Sequence, residues 1–98
     1  MVTYEIDVQN REPFLTAMEQ VGRERRRDGA YDWHVFEDPA KAGCFVETFL
    51  SDSWLDHLRQ HERVTKSDRA QEEAARKFQL GEGPVTTHLI AVDPRRRG

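Results

Sequence analysis

The chain has 98 residues, 34% charged and 37% hydrophobic, with a net charge of -3; that is enough for one domain with a modest core, and it lacks the basic excess of a nucleic-acid-binding domain. A single cysteine, Cys44, excludes an intramolecular disulfide and fits a reducing, cytoplasmic compartment. Strand-like sequence begins at once, without a signal peptide, and no apolar run approaches the roughly 20 residues that span a bilayer, so the expectation is a cytoplasmic domain not embedded in a membrane.

Val2 to Asp7 alternates, with Val2, Tyr4 and Ile6 against Thr3, Glu5 and Asp7, the period of a strand. Asn10 is a candidate N-cap, and Phe14, Leu15, Met18, Val21 and Gly22 follow at helical spacing. That helix is expected to end near Asp28-Gly29. Arg23 to Arg27 falls in its last turn, where cations complement the helix dipole, and reads as a solvated helix end. Tyr31 to Glu37 and Cys44 to Leu50 read as two strands joined by the turn from Asp38-Pro39 to Gly43, hence an antiparallel hairpin. Cys44 itself reads as a buried, inert thiol.

Ser53 and Asp56 have capping-box spacing, and a short helix is expected from there to about Arg63. A second helix restarts at Thr65 with a thin inward stripe of Ala70, Ala74, Ala75 and Phe78. Gly81 to Pro84 breaks it, and Val85 to Val92 reads as the last strand. Residues 1–93 form the expected domain, and 94–98 a basic tail.

The order β-α-β-β-α-α-β is that of an α+β, ferredoxin-like split βαβ fold, with a four-stranded antiparallel sheet. Alternation puts Tyr31, Trp33 and Val35 on one side of the second strand and His34 and Phe36 on the other. Both faces of the sheet are apolar, yet the helices cover only one, so a two-fold homodimer with the sheets face to face is expected: a dimeric α/β barrel.

The candidate chemistry centres on Trp54, His57 and His61, which share a helix face by their spacing. Neutral imidazole suits a general base near working pH, and an indole can stack on an aromatic substrate. The competing interpretation is structural: Trp54 and Leu58 pack on the sheet and the histidines line its rim. His57 and His61 are also spaced for one metal, but His-Leu-Arg-Gln-His is not the metalloprotease pattern and no third ligand is evident, so no metal and no other cofactor is expected. Tyr4, Tyr31 and Trp33 are aromatics able to line a cavity between sheet and helices. His34 and His88, on the second and last strands, could approach one sheet face. There is no phosphate-binding loop.

The element order, the two-faced sheet and the passage ETFLSDSWLDHLRQHER resemble the antibiotic biosynthesis monooxygenase-like family of dimeric α+β barrels. Glu47 and Phe49 take the family's strand positions, and His57 and His61 its helix positions. A closer likeness, carried by GAYDWHVFEDP, FVETFL and DHLRQHERVTKSDRA, is to the soluble C-terminal tails of some bacterial major-facilitator permeases. The resemblance implies a cofactor-independent monooxygenase acting on a small aromatic or polyketide-like molecule. Its base would be His57 or His61, and its substrate cage Trp54, Trp33, Tyr4 and Phe49. The alternative it implies is a non-catalytic ligand-binding or accessory domain with a transporter as partner. The Asn, Trp and His set of the family's haem-degrading members is not matched, since the sole Asn, Asn10, lies beyond the first strand.

Overall fold

The computed structural model of the chain describes residues 1–52 and 66–95, with side chains from residue 70 onward in the second stretch. β1 (Val2–Glu5) leads through a short 3-10 turn (Val8–Asn10) into α1 (Arg11–Arg27). β2 (Tyr31–Glu37) and β3 (Cys44–Leu50) form the hairpin, α2 spans Lys66–Arg76 and β4 spans Val85–Thr86. The four strands form one sheet in the order β2-β3-β1-β4, antiparallel at every pairing. This is the α+β, ferredoxin-like arrangement expected: β1 and β3 are central, and β2 and β4 form the edges. The short helix expected from Ser53 to Arg63 lies outside the described residues.

The helices cover one face. Val2, Tyr4, Ile6 and Phe45 from the sheet meet Phe14, Met18 and Val21 from α1 and Ala75 from α2 in the buried core. Phe14 sits at its centre, with the rings of Tyr4 and Phe45 each 5.2 Å away and that of Phe78 6.1 Å away. Phe78 follows the end of α2, and Ala70 is exposed, so the inward stripe of that helix is thinner than the sequence suggested.

The caps differ at the two ends of α1. Asn10 occupies the N-cap position but makes no side-chain capping bond; Asp7 instead accepts a hydrogen bond from the Gln9 amide at 2.9 Å and starts the 3-10 turn. The far end is a Schellman closure. The Gly29 amide donates to the Arg26 carbonyl and the Ala30 amide to that of Arg25, with Gly29 at φ 99°.

Two strand expectations need correction. Tyr31 pairs with Leu50 but His34 pairs with Thr48, so β2 holds one residue more than β3 between those pairs, with Asp32 at φ 50°. This bulge turns Tyr31 away from Trp33 and Val35, onto the face that carries His34 and Phe36. β4 is also far shorter than Val85 to Val92. Its ladder with β1 runs from Val85–Thr3 through Thr86–Val2, and the last bonds join Thr87 to Met1. Past that point Leu89 to Val92 extend beyond the end of β1, and strand-forming composition alone cannot make a strand.

Candidate functional site around a buried carboxylate

The α1 stripe Phe14, Met18, Val21 continues at the same three- and four-residue spacing to Arg25, inside the last helical turn. On β3, Glu47 lies two residues after Phe45 and therefore on the same, helix-facing side. One charge on each inward surface makes a pair unavoidable. Glu47 is 0% exposed. A bare carboxylate there would carry a desolvation penalty of several kcal/mol, so its partners decide whether the fold can hold it.

Those partners come from three elements. The Trp33 indole N–H donates to Glu47 Oε2 at 2.8 Å. Arg25 reaches both oxygens of the same carboxylate, Nε to Oε2 at 3.2 Å and Nη2 to Oε1 at 3.4 Å. Its third nitrogen, Nη1, donates to Glu72 Oε1 on α2 at 2.6 Å. The guanidinium lies over the Phe49 ring, 5.0 Å from its centroid, and Arg26 covers the Trp33 ring at 5.3 Å. Among the described residues no buried side-chain nitrogen or oxygen lacks a partner. Burial alone would lower the pKa of Arg25, but the charge and hydrogen bonds of Glu47, with Glu72, outweigh it and the net direction is upward.

Trp33 can enter this centre because α1 offers Gly22 beneath it. A Cβ there would stand 2.9 Å from two indole carbons. Gly22→Ala should gain roughly 1 kcal/mol of helix propensity yet lose more, since the indole is pinned by Glu47 and cannot slide. A net loss of about 1–2 kcal/mol is expected, measured by urea unfolding.

Tyr4 borders the same region and is buried. Burial first, and the negative charge of Glu47 next, push its phenol up to about 12. The neutral phenol is therefore favoured by folding. This contribution, of order 2 kcal/mol, is complete below pH 10 and disappears as pH rises from 10 through about 12. A Tyr4→Phe variant should show a flatter loss of unfolding free energy over that window.

The structure brings together three of the six site residues expected from sequence. Tyr4, Trp33 and Phe49 lie on the helix-facing side of the sheet, around Glu47. Trp54, His57 and His61 lie outside the described residues. His34 and His88 do not lie on neighbouring strands: β2 and β4 are opposite edges of the sheet, with β3 and β1 between them, and His88 follows the end of β4. Cys44 is half-buried rather than buried, and its thiol is free. The Arg23 to Arg27 run is not uniformly solvated, because Arg25 is its inward member. Among the described residues, no group of three or more His, Cys, Asp or Glu side chains could hold a metal ion.

A family model described as "transmembrane secretion effector" matches residues 1–97, which relates the chain to the major-facilitator permeases. No curated protein and no solved structure matches. No helix among the described residues is long and apolar enough to cross a membrane.

Proposed function

The chain belongs to the transmembrane secretion effector family, and on that premise we propose that it is an accessory domain that works in the cytoplasm beside a major-facilitator permease and catalyses no reaction of its own. The observation that carries this reading is the closed bonding of the polar centre. Glu47, the one buried carboxylate among the described residues, has both oxygens occupied by Arg25 and Trp33. With Arg25 it ties α1, β2, β3 and α2 together, and both its oxygens already accept hydrogen bonds from the protein. Such a centre builds a rigid module for binding rather than a reaction site.

The module would act as a homodimer. The face of the sheet away from the helices carries Tyr31, Phe36, Leu50 and Val85, large apolar side chains that are about half exposed or more. Two copies of that face would shield each other.

A second reading rests on a separate observation. Tyr4, Trp33 and Phe49 share one side of the sheet, as the cage of a cofactor-independent monooxygenase would require, and the layer between sheet and helices is where a small apolar or aromatic ligand would sit. His57 or His61 would supply the base and Trp54 a further wall.

Chemical crosslinking of the tagged chain in cells that contain its permease tests the first reading. Recovery of a major-facilitator permease is expected. Recovery of no membrane protein, together with turnover of an aromatic substrate by the purified chain, would reverse the assignment in favour of the enzyme.

A further inference from the structure

The polar centre is sealed at Glu47 but not at Arg25. Nε and Nη2 of the guanidinium go to the buried Glu47 carboxylate. The third nitrogen, Nη1, is used by a carboxylate from a different element, Glu72 of α2. The Arg25 side chain is 20% exposed and that of Glu72 31%, so this bond is within reach of solvent. Glu47 alone balances the charge of Arg25. Glu72 is therefore an extra anion, held on the guanidinium by one bond.

The helix that carries Glu72 is lightly packed. Among its described side chains only Ala75 is fully buried, against Phe14, Met18 and Val21 on α1. Its firm attachment lies past its C-terminal end. There the Glu5 amide donates to Gln79 Oε1 at 3.0 Å, and the Leu80 amide donates to the Glu5 carbonyl at 2.7 Å. Glu72 stands about two helical turns before that anchor. A tilt of α2 about Gln79, or a rotamer change of Glu72 alone, frees Nη1 and leaves the bonds to β1 intact. Movable parts of a fold are drawn from its least packed elements.

We propose that Nη1 of Arg25 is a binding site for a small organic carboxylate, and that Glu72 occupies it as a tethered competitor which the ligand displaces. Nη1 is held ready, because Glu47 fixes the rest of the fork and the Phe49 ring lies 5.0 Å from the guanidinium carbon. A ligand on Nη1 arrives beside that aromatic ring, which suits an organic acid better than a hydrated inorganic anion. A monoanion also replaces Glu72 charge for charge. A phosphate dianion would add a further negative charge close to the buried Glu47. The exchange leaves Glu47 in place and involves no permease, so it does not depend on the accessory reading.

The test titrates the full, nitrogen-15-labelled chain with sodium benzoate at constant ionic strength. The signal is the Trp33 indole N–H, which shares Glu47 Oε2 with Arg25 and is assigned by its loss in Trp33→Phe. The wild type should show a saturable shift. Glu72→Ala removes the competitor and should bind benzoate about tenfold more tightly or better. Alanine suits a helix, so this variant should fold; circular dichroism checks that. Glu73→Ala removes the same charge from the exposed neighbouring position of α2 and should leave the affinity unchanged. Arg25→Met with Glu47→Leu should abolish binding, and inorganic phosphate should give no saturable shift. Equal affinities in Glu72→Ala and Glu73→Ala, or binding that survives in the double variant, would overturn the site. Phosphate binding as tight as benzoate in Glu72→Ala would overturn the carboxylate assignment. No shift in either the wild type or Glu72→Ala would overturn the proposal as a whole, while leaving the permease crosslinking result unaffected.

Discussion

Arg25→Met is expected to lower the unfolding free energy by about 3–5 kcal/mol, a large share of the 5–15 kcal/mol typical of a whole domain. The reason is what the substitution leaves behind. Glu47 stays at 0% exposure with one donor, the Trp33 indole, in place of three. On α2, Glu72 loses its partner as well, but it is partly exposed and water can replace the bond. The penalty therefore sits almost wholly at Glu47.

Changing both members separates a lost attraction from an orphaned charge. The double variant Arg25→Met, Glu47→Leu removes the charge that needed a partner and should recover most of the stability. Recovery will be incomplete, because the Trp33 indole N–H is then left without an acceptor, at a cost of about 1–3 kcal/mol. Adding Trp33→Phe should restore that remainder. Arg25→Lys belongs between the extremes: one ammonium keeps the charge but cannot reach both Glu47 oxygens and Glu72 as the guanidinium fork does. Urea unfolding of the series measures each step. Equal stability in wild type and Arg25→Met would mean that Glu47 is not held by this pair.

The second large effect is at Gly43. It closes the β2–β3 hairpin at φ 81°, and a Cβ there would lie 2.2 Å from the Ile6 carbonyl oxygen. The obstacle is backbone, and it cannot swing aside, because the Ile6 amide is bonded to the Gly43 carbonyl at 2.8 Å. Gly43→Ala should cost at least about 3 kcal/mol. Gly81 provides the control. It too has a positive φ, 69°, but a Cβ there meets nothing within 4 Å. Gly81→Ala should therefore cost only the backbone term, about 1–2 kcal/mol. Similar losses at both positions would show that backbone conformation, not the contact with Ile6, governs Gly43.

The fold was legible wherever local signals and pairing agreed. The bounds of β2 and β3, the end of α1 and the element order of the described residues all follow from alternation, helical spacing and the Asp28-Gly29 terminator. Two features depend on partners instead. Val85 to Val92 has the composition of a strand, but its length is set by how far β1 extends beside it. Tyr31 obeys the alternation of β2 until a bulge, visible only in the register with β3, turns it over.

The polar centre was legible only in part. Tyr4, Trp33 and Phe49 stood out as aromatics, and Glu47 as an acidic position ending a strand. Arg25 was hidden inside a run of arginines that reads as a helix terminus. The stripe from Phe14 to Arg25 held the missing signal: the inward face of a helix closes with a charge, and a carboxylate occupies the inward face of the strand opposite. The pairing joins residues 22 positions apart, and neither one's local context names the other.

Oxygen uptake decides most directly between accessory domain and enzyme. The purified chain is given a panel of hydroxy-anthrones and quinols, alongside His57→Ala and His61→Ala. An accessory domain consumes no oxygen above the protein-free blank with any of them. Uptake by the wild type that falls by a hundredfold or so on removal of one histidine would contradict that reading and make the chain a monooxygenase.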